Sequence, residues 1–301
     1  MNAQRVPLRL SVLPRTTFQA HALRTPSLSQ MRPQRHLQDR LGRSSVHPSI
    51  ETIALEYFDE DMAPQHEPLA DDLFAALPQV QNTSKLEGKN VLIVYGGWEG
   101  HQPEIFAKKI ADWLKNQKAN VTLSESTVSY TNTALMESLD LVIQHITMST
   151  MSAKESNGLT KAIKSGVGLA GCHGGLGDSF RNDTEFQYMV GGQFVKHPGG
   201  QVDYKVTLKD TDDPITEGIQ DFELHSEQYY MHFDPLIEVL ATTRFSGEHD
   251  AWIEGVEIPV VWKKPYGKGR VFYSAIGHSE KDFEIPEVWE LITRGIQWAI
   301  K

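Results

Sequence analysis

Between residues 90 and 165 the chain alternates between continuous apolar runs and stretches with helical spacing. NVLIVYGG (residues 90–97) is an apolar run closed by two glycines, which is typical of a parallel strand buried on both faces. PEIFAKKIADWLKNQ follows and places its apolar residues on one helical stripe, with Pro103 in the first turn. The same alternation continues through NVTLSES, TNTALMESL, LDLVIQHI and SAKESNGLTKAIKSG. This order predicts βαβ crossovers and a parallel sheet, as in a flavodoxin-like three-layer domain.

The next stretch, GVGLAGCHGGLGDSF (residues 166–180), ends an apolar run at Cys172 and His173, which two glycines follow. The pattern predicts a buried strand that runs into a tight turn. Because ligands bind at the carboxyl edge of open α/β sheets, the thiol and the imidazole at this strand end are both candidates for chemistry.

After residue 190 the pattern becomes antiparallel in character. Apolar and polar residues alternate in QVDYKVTL, ELHSEQYYMHF, IEVLATTRF and PVVWKK. The run PVVWKKPYGKGRVFYSAIGH predicts a β-hairpin, and PEVWELITRGIQWAI predicts a final helix that begins at a proline. No linker separates this half from the first, so the pattern favours one mixed-sheet domain over two.

Charge divides the chain differently. Residues 1–50 contain eight Arg, no Lys and one acid, which gives a charge of about +7 and leaves about −17 for the remainder of a chain whose net charge is −10. An Arg-rich, Ser-containing, acid-poor beginning is typical both of an organelle transit peptide and of a disordered tail, and both interpretations stay open. Residues 51–84 carry eight acids and neither Lys nor Arg, which indicates a linker or docking arm. We therefore predict a disordered or weakly structured extension over residues 1–85 and a folded domain over residues 86–301.

Composition also excludes several classes of protein. A single cysteine excludes an intramolecular disulfide framework and a four-cysteine zinc site. The apolar runs are far shorter than the roughly 20 residues of a membrane-spanning helix. The acidic body disfavours nucleic acid as a partner, because nucleic-acid binding depends on neutralising phosphates with Lys and Arg. We therefore predict a cytoplasmic protein, or one targeted to an organelle if the source is eukaryotic. It is expected to act on a neutral or cationic small molecule and to bind neither membranes nor nucleic acid. A homo-oligomer is compatible with the sequence, which does not determine the oligomeric state.

Four polar clusters lie near predicted strand ends. GGWEGH, CHGGLGD and GHSE each follow a predicted strand, and HSEQYYMH lies within or after another. The same sheet edge would gather them, and His173, Glu227 and His278 would then supply ligands for a zinc-like divalent cation from three separate loops. No short ligand spacing supports this set. The alternative is that these histidines hydrogen-bond one another and the loops, and hold a pocket open without metal.

Two metal-free chemistries are also open. His173 with Asp178, or His278 with Glu227, would form a proton-transfer pair of imidazole and carboxylate. Asp178 would equally serve as an N-cap for the helix expected after Ser179. Cys172 would be a nucleophile on a sharp turn, although a lone cysteine at the end of an apolar strand is more often a small buried hydrophobe.

Aromatic residues are numerous near the same presumed edge. Aromatic faces pack against sugar rings, and polar side chains bond the ring hydroxyls. We therefore expect substrate contacts from a subset of the aromatic and histidine side chains there, while most of the aromatic residues belong to the core. The segment His197–Gly200 (HPGG) is predicted to be a turn without chemistry. The expected substrate-binding residues are Trp98, His101, Tyr229, Tyr230 and His232.

Several motifs stand in order along the chain: YGGWEGHQP, GVGLAGCHGG with GDSFR, MVGGQFVKHPGG, HSEQYYMHFDP, ATTRFSGEH and WKKPYGKGRVFYSAIGH. Together they resemble the ThuA-like family, named for trehalose utilisation, over about residues 89–301. The resemblance implies a class I glutamine amidotransferase-like fold, which is a flavodoxin-like three-layer α/β/α sandwich, here with additional antiparallel strands in the second half. It also implies that His173 lies next to the position of the amidotransferase nucleophile. The ThuA-like pattern does not require cysteine at position 172, which weakens the thiol hypothesis.

The resemblance further implies a role in the catabolism of trehalose or a related disaccharide or keto-sugar, with His101, His173, Glu227 and His278 as pocket residues. The expected protein is a sugar-modifying hydrolase or lyase and not a glutamine amidotransferase. Its principal acid/base is His173, and Glu227 and His278 orient it or share a metal with it. Asp178 is a further catalytic candidate. The alternative is a non-catalytic sugar-binding or regulatory protein on the same scaffold.

Overall fold

The computed structural model describes residues 85–209 and 212–300, so nearly all of the predicted N-terminal extension lies outside the described residues. The described chain contains strands and helices in the mixed order expected of an α/β protein. The strands are Asn90–Gly97 (β1), Asn120–Ser124 (β2), Leu141–Thr147 (β3), Gly168–Cys172 (β4), Gly192–Lys196 (β5), Gln201–Leu208 (β6), Phe222–Glu227 (β7), Tyr230–Phe233 (β8), Glu238–Arg244 (β9), Glu257–Tyr266 (β10) and Gly269–Ser274 (β11). The helices are Pro103–Asn116 (α1), Thr133–Ser138 (α2), Ala153–Ser165 (α3), Gly174–Gly177 (α4), Thr184–Val190 (α5) and Pro286–Ala299 (α6).

Nine of these strands form one sheet in the order β2-β1-β3-β4-β11-β10-β9-β6-β7. The pairs from β2 to β11 are parallel, and the pairs from β11 to β7 are antiparallel. β5 and β8 form a separate two-stranded antiparallel sheet. The parallel part is the predicted βαβ unit, and β11 extends it because the hairpin lies beside β4.

Local signals explain where the helices begin and end. Ser152 and Glu155 form a reciprocal capping box at the start of α3, and Gly166 ends that helix with a φ of 124°. α1 and α6 both begin at a proline, and the rings of Trp113 and Trp289 meet edge to face between these two helices. α2 and α5 both pack against α3. Helices cover the central sheet as a three-layer α/β/α sandwich, which confirms the predicted fold class.

The antiparallel half follows the prediction with one exception. The hairpin of β10 and β11 is confirmed, with Tyr266 opposite Gly269 across a two-residue turn. The run ELHSEQYYMHF, expected as one strand, is instead divided between β7 and β8, which belong to different sheets. The chain leaves the large sheet after Glu227, and this break sets the end of β7 at the residue that carries the carboxylate.

None of the helices among the described residues is long and apolar enough to cross a membrane.

Candidate metal centre

His173 is the residue on which the strand-to-helix turn after β4 depends. It has a φ of 49° and a ψ of −143°, a region that non-glycine residues rarely occupy, and it precedes the short helix α4. Its N–H donates to the carbonyl of Ser274 at 2.6 Å, and the Tyr273 hydroxyl donates to its carbonyl at 3.1 Å. These bonds hold the strained backbone in place. The segment from Gly171 to Gly175 has the pattern Gly-x-His-x-Gly, which matches a nucleophile elbow with histidine at the strained position.

The resemblance implies that His173 lies next to the nucleophile position. The geometry corrects this, because the nucleophile of such an elbow has the strained backbone, and here that residue is His173 itself. Cys172 is the last residue of β4 and does not occupy the turn. The imidazole therefore projects from the carboxyl edge of the sheet.

Glu227 and His278 are brought together by Asp282. Glu227 is the last residue of β7, and the hydroxyl of its neighbour Ser226 donates to Asp282 Oδ2 at 2.7 Å. The same oxygen accepts the backbone N–H groups of Gly277 at 3.2 Å and of His278 at 2.8 Å. One buried carboxylate thus fixes the loop after β11 against the end of β7.

His101 completes the arrangement from the other side. It lies in a 3-10 turn, Glu99–His101, directly after β1, and its Nδ1 is 3.0 Å from the hydroxyl of Thr147 at the end of β3. The Trp98 ring meets the His101 ring edge to face, with 4.7 Å between centroids. Adjacent parallel strands therefore supply the turn that carries this imidazole and the hydroxyl that orients it.

Three imidazoles surround one oxygen of the Glu227 carboxylate. Oε2 is 3.1 Å from His173 Nε2, 3.3 Å from His278 Nδ1 and 3.8 Å from His101 Nε2. The four atoms that these residues offer all lie within 4.8 Å of one another. We refer to His101, His173, Glu227 and His278 as the Glu227 cluster.

These separations fit a common metal ion. A tetrahedral cation with ligands at about 2.0–2.1 Å holds its ligand atoms about 3.3 Å apart. His278 Nδ1 is buried without a hydrogen-bond partner, although Glu227 Oε2 lies 3.3 Å away. An imidazole nitrogen that is buried, unpartnered and directed at a carboxylate has the environment expected of a metal ligand.

The outward nitrogens of the three imidazoles also have partners of the kind that metal-bound histidines use. His173 Nδ1 donates to the carbonyl of Ala275 at 2.8 Å, which leaves the lone pair of Nε2 directed into the cluster. His101 Nδ1 has the Thr147 hydroxyl. His278 Nε2 is 3.1 Å from the side-chain amide nitrogen of Gln201. If the amide is rotated so that its oxygen and nitrogen exchange places, the oxygen accepts a hydrogen bond from His278 Nε2.

Within the cluster, Glu227 is ionised at pH 7 and His173 is neutral. Burial lowers the pKa of His173 to about 4, more than the neighbouring Glu227 carboxylate raises it, so this imidazole is neutral at pH 7. Burial alone would raise the pKa of Glu227, but the three imidazoles outweigh it and hold that pKa well below its usual range. The same carboxylate raises the pKa of His278 against the opposing effect of burial. The result is one buried anion surrounded by nitrogen donors, which is a suitable environment for a divalent cation.

Comparison with known proteins identifies the family. The sequence model described as "Trehalose utilisation" (ThuA) matches residues 90–299. This chain belongs to the ThuA family. Similar solved structures include a ThuA-like protein of Bacteroides uniformis ATCC 8492, with 16% identity and a TM-score of 0.59 over 70% of this chain and 91% of that one. Another is a ThuA-like protein of Parabacteroides merdae ATCC 43184, with 17% identity and a TM-score of 0.57 over 71% and 90% of the two chains.

A cytoplasmic protein of Salmonella typhimurium LT2 is also similar in structure, with 12% identity and a TM-score of 0.52 over 70% of this chain and all of that one. At these identities the likeness concerns the fold alone. No curated protein sequence matches the chain.

The substrate-binding residues predicted for this ThuA protein lie at different distances from the cluster. Tyr229 is buried and stacks on the His173 ring, with 4.1 Å between centroids. Trp98 is 46% exposed beside His101, so its ring is available to a ligand. Tyr230 and His232 lie on β8, where Tyr230 packs against Phe245 and His232 is exposed opposite Gln193. The structure thus brings Trp98, His101 and Tyr229 to the Glu227 cluster and does not bring the two β8 residues into it.

Asp178 is placed differently from both predictions. Its carboxylate forms a two-pronged ion pair with Arg181 at 2.6 and 2.8 Å, so the imidazole partner of His173 is Glu227. The helix after it, α5, is capped by Asp183, whose side chain accepts from the N–H of Phe186. Asp178 instead ends α4, and the expectation of an N-cap at Asp178 is wrong.

Sequence reasoning missed His197, Gln201 and Asp282. His197 was assigned to a turn without chemistry, yet its Nε2 is 3.8 Å from Glu227 Oε1. His197 precedes the predicted strand QVDYKVTL, whereas His101 and His278 follow predicted strands, so the local pattern does not mark it. Nothing in the local pattern marks Gln201 or Asp282, because their roles depend on partners 77 and 56 residues away.

Proposed function

We propose that this ThuA protein is an enzyme of carbohydrate catabolism that holds one divalent transition-metal ion, zinc or a similar cation, in the Glu227 cluster. The observation that carries the proposal is the convergence of four ligand atoms within 4.8 Å from four separate segments of the chain. Family membership supports a role linked to trehalose utilisation. The proposed substrate class is trehalose, a related disaccharide or a keto-sugar derived from one.

The donor set favours a transition metal over magnesium or calcium. Imidazole nitrogen suits zinc, iron, nickel and copper, whereas magnesium and calcium prefer oxygen ligands. When bound, such a cation would polarise a hydroxyl or carbonyl oxygen of the sugar. Three imidazoles and one carboxylate leave a position for that oxygen on an ion that accepts five or six ligands.

The residues of the chain would hold, orient and shield the sugar. The ionised Glu227 balances the charge of the cation, and the neutral His173 offers its lone pair without first losing a proton. His173 and His101 are almost completely buried, whereas Trp98 beside His101 and His197 beside Glu227 are partly exposed, so solvent reaches the surroundings of the cluster at these two residues. The exposed face of Trp98 would pack against a sugar ring.

The first test is metal content. The full chain is purified without a histidine tag, and zinc, manganese, iron and nickel are quantified before and after incubation with Zn²⁺. We expect about one ion per chain, lost in His173→Ala and retained in His232→Ala, which removes an exposed imidazole outside the cluster. A wild-type chain that stays sub-stoichiometric in every metal after loading contradicts the proposed centre.

The second test is turnover of trehalose and 3-keto-disaccharides by the metal-loaded and chelator-treated protein. We expect turnover that depends on metal and is lost in His173→Ala. Equal turnover without metal would support acid/base chemistry by His173 and Glu227 alone. Saturable binding without turnover would support the non-catalytic sugar-binding protein.

A further inference from the structure

We propose that His197 is a positioning residue of the metal centre, which holds Oε1 of Glu227 so that Oε2 faces the three imidazoles of the Glu227 cluster. The inference rests on the proposed metal site and assigns a role to a residue outside its ligand set.

The two oxygens of the Glu227 carboxylate have different surroundings. Four imidazoles lie within 4 Å of this carboxylate in the described part of the chain, and three of them approach Oε2. His197 is the one that approaches Oε1, with its Nε2 at 3.8 Å. Tyr204 donates to the main-chain carbonyl of Glu227 at 3.4 Å, which fixes the backbone and leaves the orientation of the carboxylate to its imidazole neighbours.

Rings on one side hold His197 in this position. Its imidazole lies nearly parallel to Phe194, with 5.7 Å between centroids and 29° between planes. It also lies nearly parallel to Tyr229 at 6.4 Å, and Tyr229 in turn stacks on His173 at 4.1 Å. A ring series thus links His197 to a proposed metal ligand.

The backbone around His197 is anchored as well. Lys196 forms an ion pair with Asp250 at 2.6 Å, and the N–H of Gly200 donates to the His197 carbonyl at 3.1 Å. Gly199 and Gly200 both have positive φ values and make the turn that follows. The backbone at His197 is therefore fixed. Its imidazole is placed by ring packing and by the Glu227 carboxylate, since its Nδ1 is buried without a hydrogen-bond partner.

The physical reason for a role at Oε1 is rotation of the carboxylate. A glutamate whose second oxygen has no partner can turn about its last side-chain bond and present either oxygen, or both, to an ion. A neighbour at Oε1 favours one orientation and also covers that oxygen from solvent. Outer partners of metal-binding residues typically change metal affinity by about 10–100-fold.

The experiment measures Zn²⁺ affinity of the full chain by competition with a chromophoric zinc chelator. The proteins compared are the wild type, His197→Ala, His197→Gln, His197→Phe, His173→Ala and His232→Ala. We expect His197→Ala to bind Zn²⁺ about 10–100-fold more weakly. His197→Gln should recover most of the affinity, because its amide N–H reaches the position of the imidazole Nε2. His232→Ala, which removes an exposed imidazole from β8, should bind as the wild type does. Circular dichroism of the metal-free proteins checks that each variant is folded. If His197→Ala is not folded, His197→Phe carries the test with the same expected loss, because it keeps a ring against Phe194 and Tyr229 but has no N–H to face Oε1.

Two results would overturn the positioning role while leaving the metal centre intact. His197→Ala that binds Zn²⁺ within threefold of the wild type would show that Oε1 needs no partner. A loss as large as that of His173→Ala would show that His197 is itself a ligand. A wild-type chain that binds no Zn²⁺ overturns the metal centre and the role of His197 together, and the wild-type titration separates this result from the first two.

Discussion

Cys172 and His173 are neighbours at the end of β4 and are equally buried, yet they lie in two different chemical environments. The thiol of Cys172 is 3.9 Å from His145 Nδ1, and His145 stacks on Phe106 with 4.0 Å between centroids. We call Cys172, His145 and Phe106 the thiol pocket. The imidazole of His173 instead lies 3.1 Å from a carboxylate.

The difference between the thiol pocket and the Glu227 cluster lies in the charge partner. Burial raises the pKa of the Cys172 thiol and lowers the pKa of His145 to about 3, so both groups are neutral at pH 7. No ion pair joins a carboxylate to either residue in the part of the chain that the structure describes. The cluster has a carboxylate and retains a charge despite its burial. A buried histidine beside a cysteine therefore does not form a charged site here, and Glu227 is the residue that distinguishes the cluster from the thiol pocket.

Replacing Glu227 with glutamine should remove most of this difference between the two regions. The substitution keeps the size of the side chain and removes its charge, so the three imidazoles lose the anion that they share. We expect Zn²⁺ affinity to fall by more than about 100-fold, beyond the range of outer-partner substitutions, in the same chelator competition. Glu223→Gln, at an exposed position of the same strand, is the matched control and should bind as the wild type does. If Glu227→Gln bound Zn²⁺ as tightly as the wild type does, the charge of the carboxylate would not be needed for metal binding.

Two adjacent glycines allow each region to be disturbed separately. A Cβ at Gly174 would lie 2.5 Å from His101 Cε1, in the cluster, whereas a Cβ at Gly175 would lie 2.2 Å from His145 Nδ1 and 2.7 Å from His145 Cα. We expect each alanine variant to lose about 1–3 kcal/mol of unfolding free energy through overpacking. Only Gly174→Ala should also weaken Zn²⁺ binding, by at least about tenfold, because it displaces a ligand. Urea unfolding and zinc titration of both variants check this, and equal loss of zinc affinity in the two would contradict the separation of the regions.

The sequence predicted much of this arrangement because its signals are local. Buried parallel strands are apolar throughout, as in NVLIVYGG, and the hairpin of β10 and β11 is marked by its turn. The same reasoning placed His101, His173, Glu227 and His278 at strand ends, and the sheet order brings all four together. β5 is not predicted, and β8 is predicted as part of β7. Only two residues separate β7 from β8, so the alternation of apolar and polar residues does not show that the chain changes sheets there.

The contacts that the sequence did not predict are formed only when separate segments of the chain come together in the fold. Asp178 and Asp183 both precede α5, and only the fold shows that Asp183 caps it while Asp178 pairs with Arg181. Asp282 and His197 look like ordinary loop residues, because their partners Ser226 and Glu227 become neighbours only when β7 takes its place in the sheet.

The thiol pocket should make stability depend on pH. His145 has an ordinary pKa of 6.5 in the unfolded chain and about 3 in the folded one, so between these values the unfolded state binds the additional proton. Stability therefore falls as the pH falls below about 6.5, and this one group accounts for about 2 kcal/mol between pH 7 and pH 5.

Urea unfolding of the metal-free protein at pH 7 and pH 5 measures this effect. His145→Gln does not titrate and should lose about 2 kcal/mol less than the wild type over that interval. His173 titrates in the same direction in both proteins, so the difference between them isolates His145. Equal losses in the two proteins would mean that His145 is protonated in the folded state and that the thiol pocket is charged.

The smallest expected effect comes from Cys172→Ala. If the thiol is only a small buried hydrophobe, its removal should cost about 1 kcal/mol in unfolding free energy and leave Zn²⁺ affinity within twofold of the wild type. Because the chain contains a single cysteine, reaction with a disulfide reagent reports this residue alone, and we expect it to react only as fast as the protein unfolds. Rapid labelling of the folded protein, or loss of turnover in Cys172→Ala, would place the thiol in the reaction and remove the contrast with His173.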